Sequence, residues 1–300
     1  MDVLSDVLGT AQLRGRVFGS LELNPPWGIR ASPRDFFTFH ILARGRCWLE
    51  VDDRTNIHVS TGDVLVLAPR KAHVLRDAPK SKARPIEELI AAGDFAPRGD
   101  TDPSATQVVC GAFRVDDDAL LASLPTVIHT HELASDAGPW LASTVRLLAY
   151  ESTSERPGSA TVVNRMCDAL FVYVIRSVLA KLPADHASWL RAMVTPKIGD
   201  ALRLIHADPR AEWSVAALAA KVAMSRSAFA ERFAEVVGET PMQYVTRWRL
   251  YKAASMLRTG EAGIAEIASR VGYQSNVAFT KAFKRSMGTT PGEYRRAHAP

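Results

Sequence analysis

Apolar residues recur along this chain in two rhythms, and the change between them divides it. Up to about Val115 the apolar runs are short and rich in β-branched and aromatic residues: Phe36-Phe-Thr-Phe-His-Ile-Leu42, Cys47-Trp-Leu-Glu-Val51, Asn56-Ile-His-Val59, Asp63-Val-Leu-Val-Leu67 and Val108 to Phe113. Arg44-Gly45, Asp52-Asp53, Thr61-Gly62 and Pro69 punctuate them, as expected of closely spaced antiparallel strands in a small barrel or sandwich. Lys80 to Pro103, rich in Pro, Ala, Gly and charge, reads as a long, mobile surface loop. From Pro139 the spacing becomes helical, with Leu141, Val145 and Leu148 on one face and Val163, Met166, Leu170, Val174 and Val178 on another. After Pro196 the pattern is helical throughout, interrupted at Asp208-Pro209, Gly238, Gly260 and Gly288. The expectation is an α+β chain in three parts: residues 1–138, 139–195 and 196–300.

The last part contains its own copy. Val215, Leu218, Ala219 and Val222 return as Ile264, Ile267, Ala268 and Val271, an offset of 49; Phe229, Phe233, Gly238, Pro241 and Tyr244 return as Phe279, Phe283, Gly288, Pro291 and Tyr294, an offset of 50. The extra residue falls at Gln274-Ser275, where a turn is expected, so one supersecondary unit is built twice. In the first copy Ser214 and Ser225 are placed to cap helices by accepting from orphan backbone N–H groups. The second helix of each copy turns its phenylalanines inward. Facing outward are Arg226, Ser227, Ala230, Glu231 and Arg232 in one copy and Asn276, Val277, Thr280, Lys281, Lys284 and Arg285 in the other. Pro241 suits the first turn of a connecting helix running to about Leu257, whose Arg247, Arg249 and Lys252 face phosphates or brace the flanking units.

Charge sharpens this division. The net +5 of the 300 residues is uneven: from Pro196 on there are 16 Lys/Arg against 9 Asp/Glu, and before it 21 against 23. A basic helical part joined to a near-neutral one suits a polyanion-binding module with something attached. The start of the chain is acidic, without a basic leader pattern. The most apolar run, Ala169 to Ala180, is short for a membrane span and holds Arg176. That run points away from membranes, and Cys47, Cys110 and Cys167, which follow neither disulfide-framework nor zinc-finger spacing, point to a reduced cytoplasm.

The run Met224-Ser-Arg-Ser-Ala-Phe-Ala-Glu-Arg-Phe233 with Gly238-Glu-Thr-Pro241, and its counterpart Ile264-Ala-Glu-Ile-Ala-Ser-Arg-Val-Gly-Tyr273 with Gly288-Thr-Thr-Pro291, closely resembles the AraC/XylS family of bacterial transcription regulators. The resemblance covers roughly Ile198 to Arg296. It implies a seven-helix, all-α double helix-turn-helix that binds double-stranded promoter DNA and contacts RNA polymerase, usually as an activator. A double repeat used only for packing is the bland alternative. By position on the motif, Arg226, Ser227, Ala230 and Glu231 face DNA from the first copy. In the second, Asn276 is placed to read adenine, Lys281 guanine and Val277 a thymine methyl, with Thr280 beside them. Lys284 and Arg285 are placed for phosphates. Glu231 has the alternative of pairing with Arg232 or Lys221.

The strand region resembles the cupin-like β-barrel that serves many such regulators as an effector domain. Gly62 to His73 keeps the length of the second cupin motif and ends on its histidine. The first motif is absent as a metal site: its glutamate falls at Thr38 and its histidines at Ala31 and Pro33. His40, two residues from Thr38 and so on the same strand face, is placed to join His73 inside the barrel, with Cys47 and Cys110 to complete a zinc or copper set. Structural histidines and buried inert thiols are the alternatives, as is a redox switch at Cys110. A metal ion in this domain is therefore the one cofactor to look for. His129 and His131 form a further His pair beside Glu132, read as loop residues. Residues 139–195 are expected to couple the parts and to dimerise. The reading is a sequence-specific DNA-binding transcription regulator answering to a small-molecule, metal or redox signal. A cupin enzyme with an appended DNA-binding domain is the rival, and an effector-free DNA scaffold the third reading.

Overall fold

A computed structural model describes residues 2–11, 13–92, 104–115, 124–130, 138–154, 156–183, 188–260 and 262–298. The described residues pack into two units. One holds residues 13–115 and 124–181; the other joins residues 2–11 to the chain from residue 182 onward.

The first unit is built on β1 (Arg14–Leu23), β2 (Gly28–Ala31), β3 (Phe37–Arg44), β4 (Arg46–Val51), β5 (Arg54–Ser60), β6 (Val64–Leu67), β7 (His73–Arg76), β8 (Arg84–Pro85), β9 (Thr106–Arg114) and β10 (Val127–His129). They form two five-stranded sheets, ordered β1-β9-β3-β6-β10 and β5-β4-β7-β2-β8. All pairings are antiparallel except β2 with β8. The expected barrel is thus not closed: the chain passes between two sheets instead of continuing one ladder. One passage is the β3–β4 corner at Gly45, whose φ of 87° suits glycine alone. Between the sheets Leu23, Trp27, Leu42, Leu49, Leu65 and Leu75 are buried in one apolar cluster. The stretch read as a loop from Lys80 holds β8 and a short helix, α2 (Ile86–Ala91), which buries Leu89. The rest of that stretch, 93–103, lies outside the described residues.

Helices α3 (Gly138–Ser152) and α4 (Ser159–Lys181) belong to the same unit. Their stripes face inward as the periodicity predicts, with Val145, Leu148, Leu170 and Val174 buried. Phe171 of α4 packs its ring 4.8 Å from Phe113 and 5.9 Å from Phe37, so the helix covers the outer face of the first sheet.

The second unit contains α1 (Val3–Thr10), α5 (Trp189–Val194), α6 (Ile198–Ala207), α7 (Val215–Lys221), α8 (Arg226–Val237), α9 (Pro241–Thr259), α10 (Ile264–Arg270), α11 (Asn276–Met287) and α12 (Pro291–His298). From Ile198 on, seven helices are described, the number the family resemblance implies. Ser214, Ser225 and Ser275 cap α7, α8 and α11 by accepting from Ala217, Ala228 and Ala278 N–H. Pro241 opens α9 behind a Thr240–Gln243 capping box, and Thr290 with Glu293 repeats that arrangement before α12. Phe229, Phe233, Phe279 and Phe283 are fully buried. No described helix is long and apolar enough to cross a membrane.

Candidate nucleic-acid interface

Each copy of the repeat presents the outer face of its second helix. On α11, Asn276, Val277, Lys281, Lys284 and Arg285 are exposed and Thr280 is half-buried. Spacings of four put Asn276, Thr280 and Lys284 on one line and Val277, Lys281 and Arg285 on the next. Val277 is 64% exposed, so its methyl groups are open to contact from outside the helix. Ser275 accepts from Ala278 N–H, leaving its neighbours Asn276 and Val277 at the helix start, where polar backbone and side chains project together. On α8 the matching residues are Arg226, Ser227 and Glu231, exposed, and Ala230, half-buried. Arg232 pairs with Glu235 at 2.7 Å, so the alternative Glu231–Arg232 pair is not formed.

The cations of the connecting helix brace the protein. Arg249 donates to the carbonyls of Pro209 (2.7 Å) and Ala211 (2.8 Å), pinning the segment ahead of α7. Arg247 binds Glu239, and Lys252 binds Asp6. Of the two roles open to these residues in the sequence, the structural one is seen. The 19 residues of α9 make a rod of roughly 28 Å between the copies, at 1.5 Å per residue. That length is comparable with the ~34 Å repeat of the major groove.

Sequence reasoning missed α1. Its signal was local, with Asp2 ahead of Val3, Leu4, Val7 and Leu8, and Asp2 does cap the helix through Ser5 N–H. Its destination was not local. Buried Asp6 accepts from His206 Nδ1 at 3.0 Å and from Lys252 at 3.2 Å, and the Tyr244 hydroxyl donates to His206 Nε2 at 2.7 Å. Burial alone raises the Asp6 carboxyl, but His206 and Lys252 outweigh it and hold it below its usual range. Burial lowers His206, with the Asp6 contact only partly offsetting it, so the imidazole is neutral. Arg258 ties the end of α1 through the Thr10 carbonyl and also reaches the Tyr294 hydroxyl. The repeated tyrosines therefore each serve a polar contact, Tyr244 to His206 and Tyr294 to Arg258.

In the sheet unit three of the four proposed sensor residues meet. His40 of β3 stands directly opposite Cys110 of β9 in the ladder, which puts the side chains on one face. His40 Nδ1 lies 3.1 Å from Cys110 Sγ, and Nε2 lies 2.7 Å from His73 Nε2, contributed by the opposite sheet. His73 Nδ1 is 3.5 Å from the Lys71 carbonyl. That carbonyl only accepts, so His73 carries its proton on Nδ1. His73 Nε2 then accepts from His40, and His40 Nδ1 accepts from the thiol. Desolvation holds His40 well below its usual range and His73 at about 4, and pushes the Cys110 thiol up to about 12, so the chain is neutral throughout. Cys47 lies in the same apolar cluster, its thiol raised to about 12 by burial and then by Cys110 and Asp63.

These donors do not fit a metal ion. Two imidazoles on one tetrahedral zinc, with bonds of ~2.0–2.1 Å, lie roughly 3.3 Å apart and present lone pairs to it. Here they share a proton, and His40 spends both nitrogens. Among the described residues no three His, Cys, Asp or Glu side chains converge as a metal set. His129 pairs with Asp63 at 3.1 Å, while His131 and Glu132 lie outside the described residues. Beside the His–Cys chain opens a cavity of about 490 Å³, walled by Phe18, Leu21, Phe36, Ile86 and Ile90 and floored by His40 and Cys110.

Two family models match the chain: a cupin model over residues 2–180 and a helix-turn-helix domain model over 218–297. Among similar proteins are the HTH-type transcriptional regulator AlkR of Acinetobacter baylyi, 30% identical over 99% of both chains, and a putative AraC-like transcription regulator of Streptomyces lividans, 33% identical over 99% of this chain and 98% of that one. The RCS-specific HTH-type transcriptional activator RclR of Escherichia coli is 29% identical over 98% of this chain and 97% of its own. Carrying both of these domains and aligning over 99% of its length with such regulators, the chain belongs to the AraC-like HTH-type transcriptional regulators with a cupin N-terminal domain, and is a DNA-binding transcription regulator.

Proposed function

We propose that the protein is a cytoplasmic, homodimeric activator that reads promoter DNA mainly with α11, contacts RNA polymerase there, and takes its signal in the sheet unit. One observation carries this: α11 presents Val277, Lys281, Lys284 and Arg285 outward together, while α8 offers Arg226, Ser227, Ala230 and an acidic Glu231, with its other cation, Arg232, engaged by Glu235. Asn276, Thr280 and Lys281 would contact base edges, and Arg226, Lys284 and Arg285 phosphates. Leu147, Tyr150 and Val162, large apolar residues exposed on α3 and α4, support a dimer seam there. The signal is assigned to the cavity, for a small molecule or oxidant, and not to a resident metal, because the nitrogens of His40 are already committed.

The test is binding of the full chain to promoter duplexes recovered by genome-wide mapping, followed against salt. Three phosphate contacts at about 0.9 each give a logarithmic slope near −2.7 per protomer. Salt-insensitive binding, or none by folded protein, overturns the reading. The rival cupin enzyme is separated by assaying turnover of small carbonyl and sugar substrates with the purified full chain.

A further inference from the structure

The His–Cys chain and the cavity beside it ask for more than a packing role. Cys110 and His40 both line the cavity, with the hydroxyls of Ser32 and Thr38 as its other uncharged polar groups. The cavity walls are largely apolar, and the charged side chains among its lining residues, Arg34 and Glu87, neutralise each other at 2.7 Å. A site of this composition selects a neutral, mostly apolar molecule. What distinguishes it from a plain apolar pocket is the thiol. The Lys71 carbonyl sets the direction of the whole chain, so that the unprotonated nitrogen of His40 faces Cys110 Sγ at 3.1 Å. An acceptor for the thiol proton is therefore in place before any ligand arrives.

We propose that Cys110 is a covalent modification site for small apolar electrophiles of the α,β-unsaturated carbonyl class, with His40 as its proton shuttle and His73 as the positioning residue that fixes the His40 tautomer. The Cys110 Sγ–C bond forms as the C=C π bond breaks. The thiol proton passes to His40 Nδ1 and from there to the α carbon. Nothing is oxidised and the net charge is unchanged. Buried thiols without such an acceptor are inert. Cys47 and Cys167, buried and not among the residues lining this cavity, provide the internal comparison. The proposal rests on reading the cavity as the signal site.

The experiment treats the full-length protein with N-phenylmaleimide and, in parallel, with its unreactive analogue N-phenylsuccinimide. Peptide mass mapping gives the rate at each cysteine, and thermal shift gives binding of the analogue. The expected result is alkylation of Cys110 at least tenfold faster than of Cys47 or Cys167, with a rate nearly flat between pH 6 and 9. An unassisted thiol would instead gain about tenfold per pH unit. His40→Gln should lower the Cys110 rate at least tenfold and restore that steep pH dependence. If His40→Gln misfolds, Ala31→Leu, which fills the cavity from β2, should slow Cys110 alone. Equal rates at the three cysteines, or a steep pH profile in the unaltered protein, overturn the proposal. If N-phenylsuccinimide stabilises the protein while Cys110 stays unmodified, the cavity reading stands and the covalent step is wrong. If neither reagent acts, both fall.

Discussion

Replacing Asp6 by asparagine isolates what holds α1 to the DNA-binding unit. The carboxylate uses one oxygen for His206 Nδ1–H at 3.0 Å and the other for Lys252 at 3.2 Å, and its side chain is 7% exposed. Asparagine keeps the shape but offers one acceptor, so its amide N–H₂ must face either the imidazole N–H or the ammonium. A hydrogen bond to a charged group contributes about 1.5–3 kcal/mol. Lys252, 21% exposed, recovers part of its hydration by turning outward, which brings the expected loss to about 2 kcal/mol. That is roughly a thirtyfold rise in the undocking equilibrium. Amide hydrogen exchange on the full chain should show residues 3–10 losing protection by that factor, with α4 unchanged. The pH dependence has a definite sign. The Asp6 pKa is depressed in the folded protein, so its contribution is complete above the ordinary carboxylate range near pH 4. It is lost as pH falls through the lower folded value. The unaltered protein should lose α1 protection in that acid window and the Asp6→Asn variant should not. Equal exchange at neutral pH in the two proteins, or equal acid sensitivity, would refute the assignment.

Three further outcomes follow from the same geometry. Lys281→Ala should cost about 1–3 kcal/mol of specific operator binding, measured by competition against random duplex, and should exceed the effect of Ala230→Gln; equal, negligible effects would mean the reading face is misassigned. Phe283→Ala, at a fully buried ring packed 5.6 Å from Phe279 and 5.4 Å from Tyr294, should destabilise the second copy by about 3–5 kcal/mol in urea titration. Gly111→Ala drives a methyl into the Phe39 ring and the Arg16 carbonyl, so the sheet unit should lose about 1–3 kcal/mol while the protection of α10 and α11 is retained. A sheet unit that melts unchanged would show that Phe39 yields freely.

What the sequence revealed and what it hid divide by distance along the chain. Ser214 and Ser225 announce their helices because a cap is decided within three residues, and Pro241 announces α9 because it suits only a first turn. The phenylalanine stripes of α8 and α11 are equally local, and the repeat made them visible twice. The strands from Phe37 to Leu67 were legible for the same reason, but their division between two sheets was not, since it depends on corners. The His40–Cys110 pair is a matter of register between strands 70 residues apart. The likeness to the cupin motifs, with strand alternation from Thr38, placed His40 and His73 inside the sheet unit without showing that they would hydrogen-bond instead of converging on a metal. Helix α2 hid within a stretch whose Pro and charge content outweighed the single buried Leu89.

The docking of α1 makes the protein's order of synthesis matter. Asp6 leaves the ribosome 200 residues ahead of His206 and 246 ahead of Lys252, and Thr10 waits 248 residues for Arg258. At about 5–20 residues per second the interval is roughly 12–50 seconds, long enough for the intervening sheet unit to fold while Val3, Leu4, Val7 and Leu8 remain uncovered. The DNA-binding unit is thus closed by α1, a segment made some 200 residues before its partners, and cannot reach its final state as a free-standing tail. A fragment beginning at residue 196 inherits His206 and Lys252 without the carboxylate built for them. Residues 2–11 joined ahead of such a fragment would restore the missing piece.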